Sequence, residues 1–447
     1  MQARKSFFLS PGRIILFSML VAITGGAFLL SCSWAHTGEL SFIDSFFTAT
    51  SATCVTGLLT VPLIKFTTYG HCVILLLMQI GALGLISLTV FLLSLFINLG
   101  LSTSHMTGEI LEVTNPRHTR SILFFIVVFT AVVELIGACA TFFSIRGHYS
   151  FGKTVFYSLF HAVSSFCNAG LVIFPQHDEA THALMSNPSL MCITGILVLL
   201  GGFGFLVWHE VAHYITSSSL HKHIHLSLHS KIVFLMTGYL IAFMSALIFL
   251  LEYLPHFLEH PSFSFIIASL FDGICLRSAG FSTIEFSAIH LATLFSIMII
   301  SFIGSSPGST GGGIKTTTFA IFLAAIKSTL SRRTWVEIMQ RTIPNDQVFK
   351  AMAIFALSLC WVATTIFLLL LTEQGWRFID IMSEAFAAFT NLGLSTGITP
   401  YLSVKGKLLL ASSMLIGRIG SLTLLLAFKR QHAKAGFHYP EERILMS

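Results

Sequence analysis

The tetrapeptide Val55-Thr56-Gly57-Leu58 is the first of four related glycine-centred turns in this sequence. The other three read Asn168-Ala169-Gly170-Leu171, Ser278-Ala279-Gly280-Phe281 and Asn391-Leu392-Gly393-Leu394. Each copy follows a short apolar stretch rich in Phe and Ala, and a long hydrophobic run follows each copy. Internal repetition must be settled before any local pattern is interpreted, because it decides the architecture. We therefore divide the chain into four repeats and call the four turns loop 1 to loop 4, in chain order.

The composition indicates a protein that is surrounded largely by lipid. Hydrophobic residues make up 54% of the 447 residues and charged residues only 10%, whereas a soluble domain carries about 25% charged residues. The eight cysteines are scattered without a CxxC pair, so they are expected to be small buried hydrophobes rather than metal ligands or disulfide partners. The small basic excess does not indicate nucleic-acid binding, because the charges lie at segment ends and form no patch. The first apolar run is long and no cleavage site ends it, so no signal peptide is expected.

Every repeat has the hydropathy pattern of a span, a half-span, a loop and a second span. A span needs about 20 residues, and the half-spans are too short to cross a bilayer. The predicted spans cover residues 13–31, 71–99, 121–145, 188–214, 232–251, 291–326, 348–371 and 407–428, and the half-spans cover 42–53, 151–166, 263–275 and 378–390. The predicted fold is an all-α integral membrane protein, with eight transmembrane helices and four re-entrant half-helices around one pseudo-fourfold pore. The repeats occupy residues 13–99, 121–214, 231–326 and 347–428, and residues 429–447 form a tail.

Basic residues accumulate on one side of this topology, which the positive-inside rule makes cytoplasmic. They are Arg4, Lys5, Arg13, Arg117, Arg120, Lys222, Lys231, Lys327, Arg332, Arg333, Arg341, Lys350, Lys429, Arg430 and Lys434. Both termini are then cytoplasmic. The opposite side is mixed but rich in acids such as Glu39, Asp44 and Asp380, which either attract cations or are simply solvated loop charges.

The loops predict an ion filter. A non-helical loop at membrane depth is tolerated only where protein buries it or water lines it, so the four loops should face one axis. A dehydrated potassium ion needs several oxygen ligands, which inward-pointing backbone carbonyls supply, and glycine permits the backbone geometry without a clashing Cβ. The predicted filter residues are Val55, Thr56, Gly57, Asn168, Ala169, Gly170, Ser278, Ala279, Gly280, Asn391, Leu392 and Gly393. The alternatives are interfacial helices and, for any one copy alone, a helix C-cap.

A glycine-rich segment interrupts the second span of repeat 3. It reads Gly304-Ser305-Ser306-Pro307-Gly308-Ser309-Thr310-Gly311-Gly312-Gly313-Ile314-Lys315. Proline and clustered glycines cannot continue a regular helix, so the span should break inside the membrane. We predict that residues 304–313, with Lys315, form a gate beneath the loops; a kink for packing is the alternative. A phosphate-binding loop is excluded by spacing, because Ile314 separates Gly313 from Lys315.

An arginine stands in the last span, in the sequence Gly417-Arg418-Ile419-Gly420. An arginine near the bilayer centre usually faces a water-filled cavity, although one nearer the interface can snorkel to it. We expect Arg418 to place a positive barrier below the filter and to pair with a carboxylate or a loop carbonyl.

Two histidine groups and one glutamate raise other possibilities. His209-Glu210-Val211-Ala212-His213 fits the H-E-x-x-H pattern of zinc proteases, which would still need a third ligand. A membrane-embedded zinc protease is therefore the remote alternative. The histidines at 221, 223, 225 and 229 are expected to be solvated linker residues rather than a metal site. Glu134, within a predicted span, is interpreted as a structural contact rather than a proton site.

Together these motifs resemble the Trk/Ktr/HKT superfamily of potassium transporters. V-T-G-L, N-A-G, R-S-A-G-F and N-L-G-L-S resemble its four pore loops, S-S-P-G-S-T-G-G-G-I-K-T-T-T its gating loop, and G-R-I-G-S-L-T its final-helix arginine motif. The chain departs from the family pattern at Cys167, Ser278 and Ser421. It begins directly with repeat 1, and in this it is most similar to the membrane subunit of bacterial Ktr systems.

The resemblance implies a function and an assembly. It implies potassium as the transported ion, without an organic cofactor in this chain, in a bacterial plasma (inner) membrane. Sodium-selective plant relatives carry serine at the first filter glycine, so Gly57 favours potassium; a sodium-preferring or sodium-coupled transporter is the alternative. The resemblance further implies a homodimer and a cytosolic ring of nucleotide-binding, KtrA- or TrkA-like regulatory subunits.

Overall fold

The computed structural model describes residues 11–84, 119–174, 187–219, 226–284, 286 and 289–420, which are mostly helical. The helices are α1 (Pro11–Ser31), α2 (Phe42–Cys54), α3 (Thr68–Leu83), α4 (Thr119–Ile145), α5 (Phe151–Cys167), α6 (Pro188–Gly202), α7 (Phe205–Ser219), α8 (Leu228–Ile248), α9 (Leu254–Glu259), α10 (Phe263–Cys275), α11 (Leu291–Phe302), α12 (Thr316–Leu330), α13 (Asn345–Thr372), α14 (Phe378–Thr390) and α15 (Val404–Ile419). A π-helical turn, Phe249–Tyr253, joins α8 to α9, and short 3₁₀ turns cover Leu63–Lys65 and Thr399–Tyr401.

Four of the described helical stretches are long and apolar enough to cross a membrane. They are Gly12–Ser31, Ser121–Ile145, Leu228–Glu259 and Asn345–Thr372, and each coincides with the first predicted span of one repeat. The bent pair α6 and α7 makes a fifth if it is counted as one span. The second helices are shorter and more buried, which places them nearer the centre of the molecule.

The four half-helices begin and end within one residue of the predicted half-spans. They are α2, α5, α10 and α14, and each packs against the long helix of its own repeat. Serine residues cap two of them: Ser41 Oγ accepts from Ile43 N, and Ser262 Oγ accepts from Ser264 N. Such caps satisfy N–H groups that the first helical turn cannot pair. The second half of each helix is buried, so its C-terminal end points into the protein.

In all four repeats the second helix ends partway along the span that was predicted for it. The hydropathy pattern did not predict this common ending. Only repeat 3 was predicted to break, but α3 ends at Leu83 and α15 at Ile419, each followed by a glycine with positive φ. In repeat 2 the span predicted over residues 188–214 is not one continuous helix, because α7 leaves α6 at an angle of 95°. Gly204 stands at this bend, and a Cβ there would lie 2.5 Å from the Pro307 carbonyl oxygen. The remainders of the predicted spans 71–99 and 407–428 lie outside the described residues.

A short antiparallel hairpin connects repeats 3 and 4. Its strands are β1 (Glu337–Ile338) and β2 (Arg341–Thr342). Ile343 anchors the hairpin in a small apolar cluster with Ala325 of α12 and Val348 of α13. The hairpin carries Arg341, one of the basic residues that were used to predict the cytoplasmic side.

Candidate functional site: a ring of four glycine loops

The four loops contact one another in cyclic order. Each loop glycine lies against a backbone carbonyl of the next loop, and the fourth lies against the first, which closes the ring. Ideal Cβ atoms would lie 2.5 Å from Ala169 O at Gly57, 2.5 Å from Ala279 O at Gly170, 2.2 Å from Leu392 O at Gly280, and 1.9 Å from Thr56 O at Gly393. Side chains do not tolerate such contacts, and all four glycines also have positive φ. Glycine is therefore required at all four positions.

The residues of the four loops differ in their exposure. The eight residues that precede the glycines in the four loops are buried. Each glycine is partly exposed. The glycines are thus the accessible part of the four loops, while the residues that precede them are packed in the protein.

Loops 1, 2 and 4 are built in one way. Their half-helices end at a residue in the left-handed conformation, namely Val55, Asn168 and Asn391. The following N–H bonds back across the turn, as Thr56 N does to Ser51 O at 2.8 Å. This is the usual way to satisfy the last carbonyls of a helix while reversing the chain.

Loop 3 takes a different path. Helix α10 ends at Leu276 in a right-handed conformation, and Ala279 N and Gly280 N both donate to Cys275 O, at 2.9 and 3.3 Å. Ser278 is not among the residues with positive φ. The extra right-handed turn brings Gly280 to the same ring by another route.

Serine hydroxyls support loops 1 and 2 from behind. Ser51 Oγ accepts from Gly57 N at 3.0 Å, and Ser164 Oγ accepts from Leu171 N at 2.9 Å. Both serines lie in the half-helix of their own repeat and are fully buried. The loop backbone is thus tied to a neutral side chain.

Carboxyl groups support the chain that follows loops 3 and 4. Asp272 of α10 accepts from Thr283 N at 2.8 Å, and its Oδ2 lies 2.7 Å from Tyr253 OH. Glu384 of α14 contacts Ser395 Oγ and, at 2.8 Å, Thr399 Oγ1. These acids are wholly buried. The sequence did carry a signal for them, because a carboxyl within an apolar membrane segment is rarely placed there without a role.

The Asn391 side chain joins loop 4 to loop 1. Its Nδ2 donates to Cys54 O at 2.9 Å and to Thr56 Oγ1 at 2.7 Å. Sequence reasoning assigned only the backbone carbonyl of Asn391 a role. No local pattern could have found the side-chain bonds, since the partners are 337 and 335 positions away.

The glycine-rich segment lies directly against three of the loops. Thr310 Oγ1 donates to Phe166 O at 3.1 Å, at the end of α5. A Cβ at Gly311 would lie 3.3 Å from Ser278 Cβ, and one at Gly312 would lie 2.4 Å from Asn391 Oδ1. These contacts involve the ends of the half-helices and the first residues of the loops. The segment therefore covers one end of the ring.

The end of α6 holds this segment in place. Thr310 N donates to Gly201 O and Ser306 N to Gly202 O, both at 3.2 Å. Within the segment, Lys315 Nζ donates to Gly311 O at 2.8 Å. Most of the segment is buried, so its many polar groups are satisfied by protein.

Arg418 bridges three repeats from its position near the end of α15. Its Nη1 donates to Thr310 O in the glycine-rich segment, and its Nη2 donates to Gly81 O at 2.6 Å and to Ala82 O at 3.3 Å, at the end of α3. The side chain is partly buried. The sequence analysis expected Arg418 to pair with a carboxylate or a loop carbonyl, and the contacts described here are all with backbone carbonyls.

Glycines at the ends of the second helices allow this close assembly. A Cβ at Gly81, Gly201 or Gly417 would lie within 2 Å of a carbonyl oxygen at the end of a half-helix, on Thr53, Phe166 and Phe389 respectively. Sequence reasoning missed these positions. A recurring G-x-x-G pattern (Gly81 and Gly84, Gly201 and Gly204, Gly417 and Gly420) was the available signal.

The other candidate residues named from the sequence, Glu134, His209 and Glu210, make contacts between helices. Glu134 accepts from Gln79 Nε2 at 2.8 Å, which links α4 to α3. Glu210 accepts from Ser227 at the start of α8, and His209 packs edge-on against Phe125. In the described part of the chain, no three His, Cys, Asp or Glu side chains are close enough to hold a metal ion. Residues 221, 223 and 225 lie outside the described residues.

Comparisons with known proteins agree over nearly the whole chain. The sequence profile of the TrkH cation transport protein family matches residues 13–438. The potassium/sodium uptake protein NtpJ of Enterococcus hirae is 33% identical over 98% of this chain and 97% of its own length. The Ktr system potassium uptake protein B of Bacillus subtilis is 32% identical over 97% of this chain and 96% of its own length. The crystal structure of the potassium transporter TrkH from Vibrio parahaemolyticus has the same fold, with a TM-score of 0.72 at 22% identity over 95% of this chain and 85% of that chain.

Proposed function

The chain belongs to the TrkH family of cation transport proteins, and from this premise we propose that it takes up potassium across a bacterial plasma membrane. Relatives that match along almost their full lengths are named potassium uptake proteins. The family and the long apolar helices make the chain a multi-pass membrane protein.

The observation that carries the proposal is the closed ring of glycine–carbonyl contacts among the four loops. Backbone carbonyls that converge on one axis can replace the water shell of a potassium ion. The filter comprises the backbone of residues 55–57, 168–170, 278–280 and 391–393. The buried side chains behind these residues hold the carbonyls at a fixed spacing.

The repeat architecture predicted from the sequence is part of the proposal. Each repeat supplies a long helix, a half-helix, a loop and a second helix, so that eight spans and four half-helices surround one pseudo-fourfold pore. The cyclic loop contacts and the common end of the second helices support this arrangement. The basic residues of the connections and the tail support the part of the proposal that puts both termini in the cytoplasm.

The glycine-rich segment acts as the gate in this proposal, and Arg418 acts as its latch. The segment covers one end of the ring, and the guanidinium ties it to the end of α3. Arginine hydrogen bonds to carbonyls are charge-assisted, yet rotation of one side chain can release them. Arg418 also adds positive charge along the ion path below the filter.

Ion-flux competition tests the proposal. Cells lacking their own potassium systems would express the chain and take up radioactive rubidium in competition with potassium or sodium. We expect potassium to compete far better than sodium, and Gly57→Ser to reduce this preference. Gly147→Ser is the matched control, because Gly147 has a similar φ of 98° but nothing within 4 Å of its Cβ position. Equal or better sodium flux in the unaltered protein would refute potassium preference.

A sodium-preferring or sodium-coupled transporter of the same fold is the second candidate. One relative is named a potassium/sodium uptake protein, which is the observation in its favour. Potassium uptake measured with and without an imposed sodium gradient separates coupling from passive flux.

The assembly is proposed as a homodimer that binds a separate cytosolic ring of nucleotide-binding subunits. Two relatives are named as lettered components of Ktr systems, which suits a membrane subunit with a separate regulator. The mass of the purified complex in detergent, measured with and without nucleotide, tests this assembly.

A further inference from the structure

Two buried carboxyl groups behind the ring each sit in a closed cycle of oxygen contacts. Asp272 Oδ2, Tyr253 OH and Thr283 Oγ1 lie within 2.6 to 2.7 Å of one another. Glu384, Ser395 Oγ and Thr399 Oγ1 form the second cycle, in which Thr399 Oγ1 lies 2.8 Å from both Glu384 Oε2 and Ser395 Oγ.

The number of hydrogens available in each cycle determines whether its carboxyl group is charged. Each cycle has three oxygen–oxygen contacts at hydrogen-bond distance, but the two hydroxyl groups supply only two hydrogens. If the carboxyl were ionised, one contact would bring two lone pairs together without a hydrogen between them. The missing hydrogen would have to lie between two oxygens that already touch, so a water molecule at the exposed side of Ser395 does not supply it.

We propose that Asp272 and Glu384 are proton-binding sites, and that their protonated forms hold the chain segments that follow loops 3 and 4. In the second cycle the acid donates to Ser395, Ser395 donates to Thr399, and Thr399 donates back to Glu384. All three contacts are then satisfied. The inference rests on the proposed function, because it concerns the shape of the filter.

The charges around each site do not compensate an ionised acid. Glu384 shares α14 with Asp380, which pairs with Arg377 at 2.8 Å. On α15, Lys407 pairs with Asp44, Lys405 is exposed, and Arg418 donates to backbone carbonyls. Asp346 and Lys350 at the start of α13 pair with each other. Helix α11 carries no titratable side chain.

Asp272 has the same kind of surroundings. The π-turn packed on α10 contributes Tyr253 and Glu252, and Glu252 accepts from His290 N at 3.1 Å. Helix α8 contributes His229, Lys231 and Tyr239, and α6 contributes Cys192, which is exposed. The buried Arg277, just after α10, donates to Thr237 Oγ1 at 3.1 Å. A buried acid without a paired cation is stabilised by taking up a proton.

Ser395 connects the second site to solvent. Ser395 is partly exposed, whereas Glu384 and Thr399 are buried. It stands two positions after Gly393, so loss of the proton would free the residues next to the filter. Protonation thus holds loop 4 at low pH, and the hold is lost as the pH rises.

Replacement of Glu384 tests the proposal. Glu384→Gln retains one donor and one acceptor, so the cycle can close without a titrating proton, whereas Glu384→Ala cannot close it. We expect Glu384→Gln to stay within about threefold of the unaltered half-saturation for potassium uptake, and Glu384→Ala to weaken it by about tenfold or more. Asp44→Asn is the control for an acid that must be ionised, since its partner is Lys407, and it should reduce thermal stability where Glu384→Gln does not.

Two measurements distinguish a proton-binding role of Glu384 from a purely structural one. The pH dependence of potassium affinity should flatten in Glu384→Gln, and infrared difference spectra should show a protonated-carboxyl band that disappears in this variant. If Glu384→Gln fails like Glu384→Ala while still folding, or if the band is absent, Glu384 is ionised and the proposal is wrong. If the rubidium and potassium fluxes of the unaltered protein are not selective but the band is present, the proposed function fails and the proton site stands.

Discussion

Loops 1 and 2 differ from loops 3 and 4 in what supports them. A serine hydroxyl accepts directly from the backbone of each of the first two loops, at Gly57 N and Leu171 N. In the last two, a buried carboxyl lies deeper and binds the chain several residues after the glycine. The ring contacts differ in the same way: Gly280 and Gly393 approach their neighbours more closely than Gly57 and Gly170 do.

This difference shows that four copies of one motif need not be equivalent. The serine-supported half depends on single neutral hydrogen bonds, each worth about 1 kcal/mol net. The carboxyl-supported half depends on networks whose members fail together when one is removed. Substitutions at matched positions should therefore have unequal effects in the two halves.

The largest expected effect comes from the loop glycines themselves. A Cβ at Gly393 would lie 1.9 Å from Thr56 O, against 2.5 Å from Ala169 O for Gly57. We expect Gly393→Ala to abolish selective uptake and to destabilise the protein by roughly 3 kcal/mol, and Gly57→Ala to cost less, because overpacking costs rise with the displacement required. Uptake assays and thermal unfolding in detergent measure both. A smaller effect of Gly393→Ala than of Gly57→Ala would contradict the proposed difference between the two halves of the ring.

The next largest effect should follow from Arg418. Loops 2, 3 and 4 contact the glycine-rich segment directly, whereas the second helix of repeat 1 is tied to it through this guanidinium. We expect Arg418→Ala to raise unregulated potassium flux about tenfold, since a charge-assisted hydrogen bond is worth about 1.5–3 kcal/mol. Arg418→Lys should give a flux between those of the unaltered protein and Arg418→Ala, because a single ammonium lacks the planar fork of donors of a guanidinium. Unchanged flux with a collapse in stability would mean that Arg418 only packs.

A smaller effect is expected at Thr310. Its hydroxyl reaches Phe166 O at the end of α5, and Thr310→Val removes this bond while keeping the shape. We expect about a fivefold rise in unregulated flux, which corresponds to the roughly 1 kcal/mol of one neutral bond. Thr310→Ser is the matched control and should behave like the unaltered protein. Flux that stays low in Thr310→Val would locate the closing contacts elsewhere in the segment.

The smallest effects should come from the serines. Ser51→Ala and Ser164→Ala each remove one hydrogen bond to a loop backbone, so each should cost about 1 kcal/mol and leave potassium preferred over sodium. Thermal unfolding of these variants beside Asp272→Ala compares the two halves directly. A serine variant that loses more stability than Asp272→Ala would reverse the order proposed here.

The sequence predicted the parts of this molecule that local chemistry controls. The bounds of α10 and α14 agree with the predicted half-spans because apolar length and the following glycine set both ends. The break after α11 agrees because proline and clustered glycines prevent a helix in any context.

The rest depends on contacts that sequence does not display. Glycines such as Gly204 are each tolerated in a helix at a cost of about 1 kcal/mol, so hydropathy extended the predicted span through Gly201, Gly202 and Gly204. At the bend, Gly204 has a positive φ and lies against the Pro307 carbonyl, which is far along the chain. The different turn of loop 3 and the partners of Asp272 and Glu384 likewise depend on neighbours far along the chain.

The Asn391 side chain has a consequence for how the protein is made. Its bonds to Cys54 O and Thr56 Oγ1 join residues 337 and 335 positions apart, and the ion pair of Lys407 with Asp44 joins residues 363 positions apart. A ribosome inserting the chain releases the first repeat long before the fourth exists. Until then these polar groups stay unmatched in the bilayer, where such groups are costly, so newly inserted early repeats should need shelter by the insertion machinery and truncated chains should be degraded.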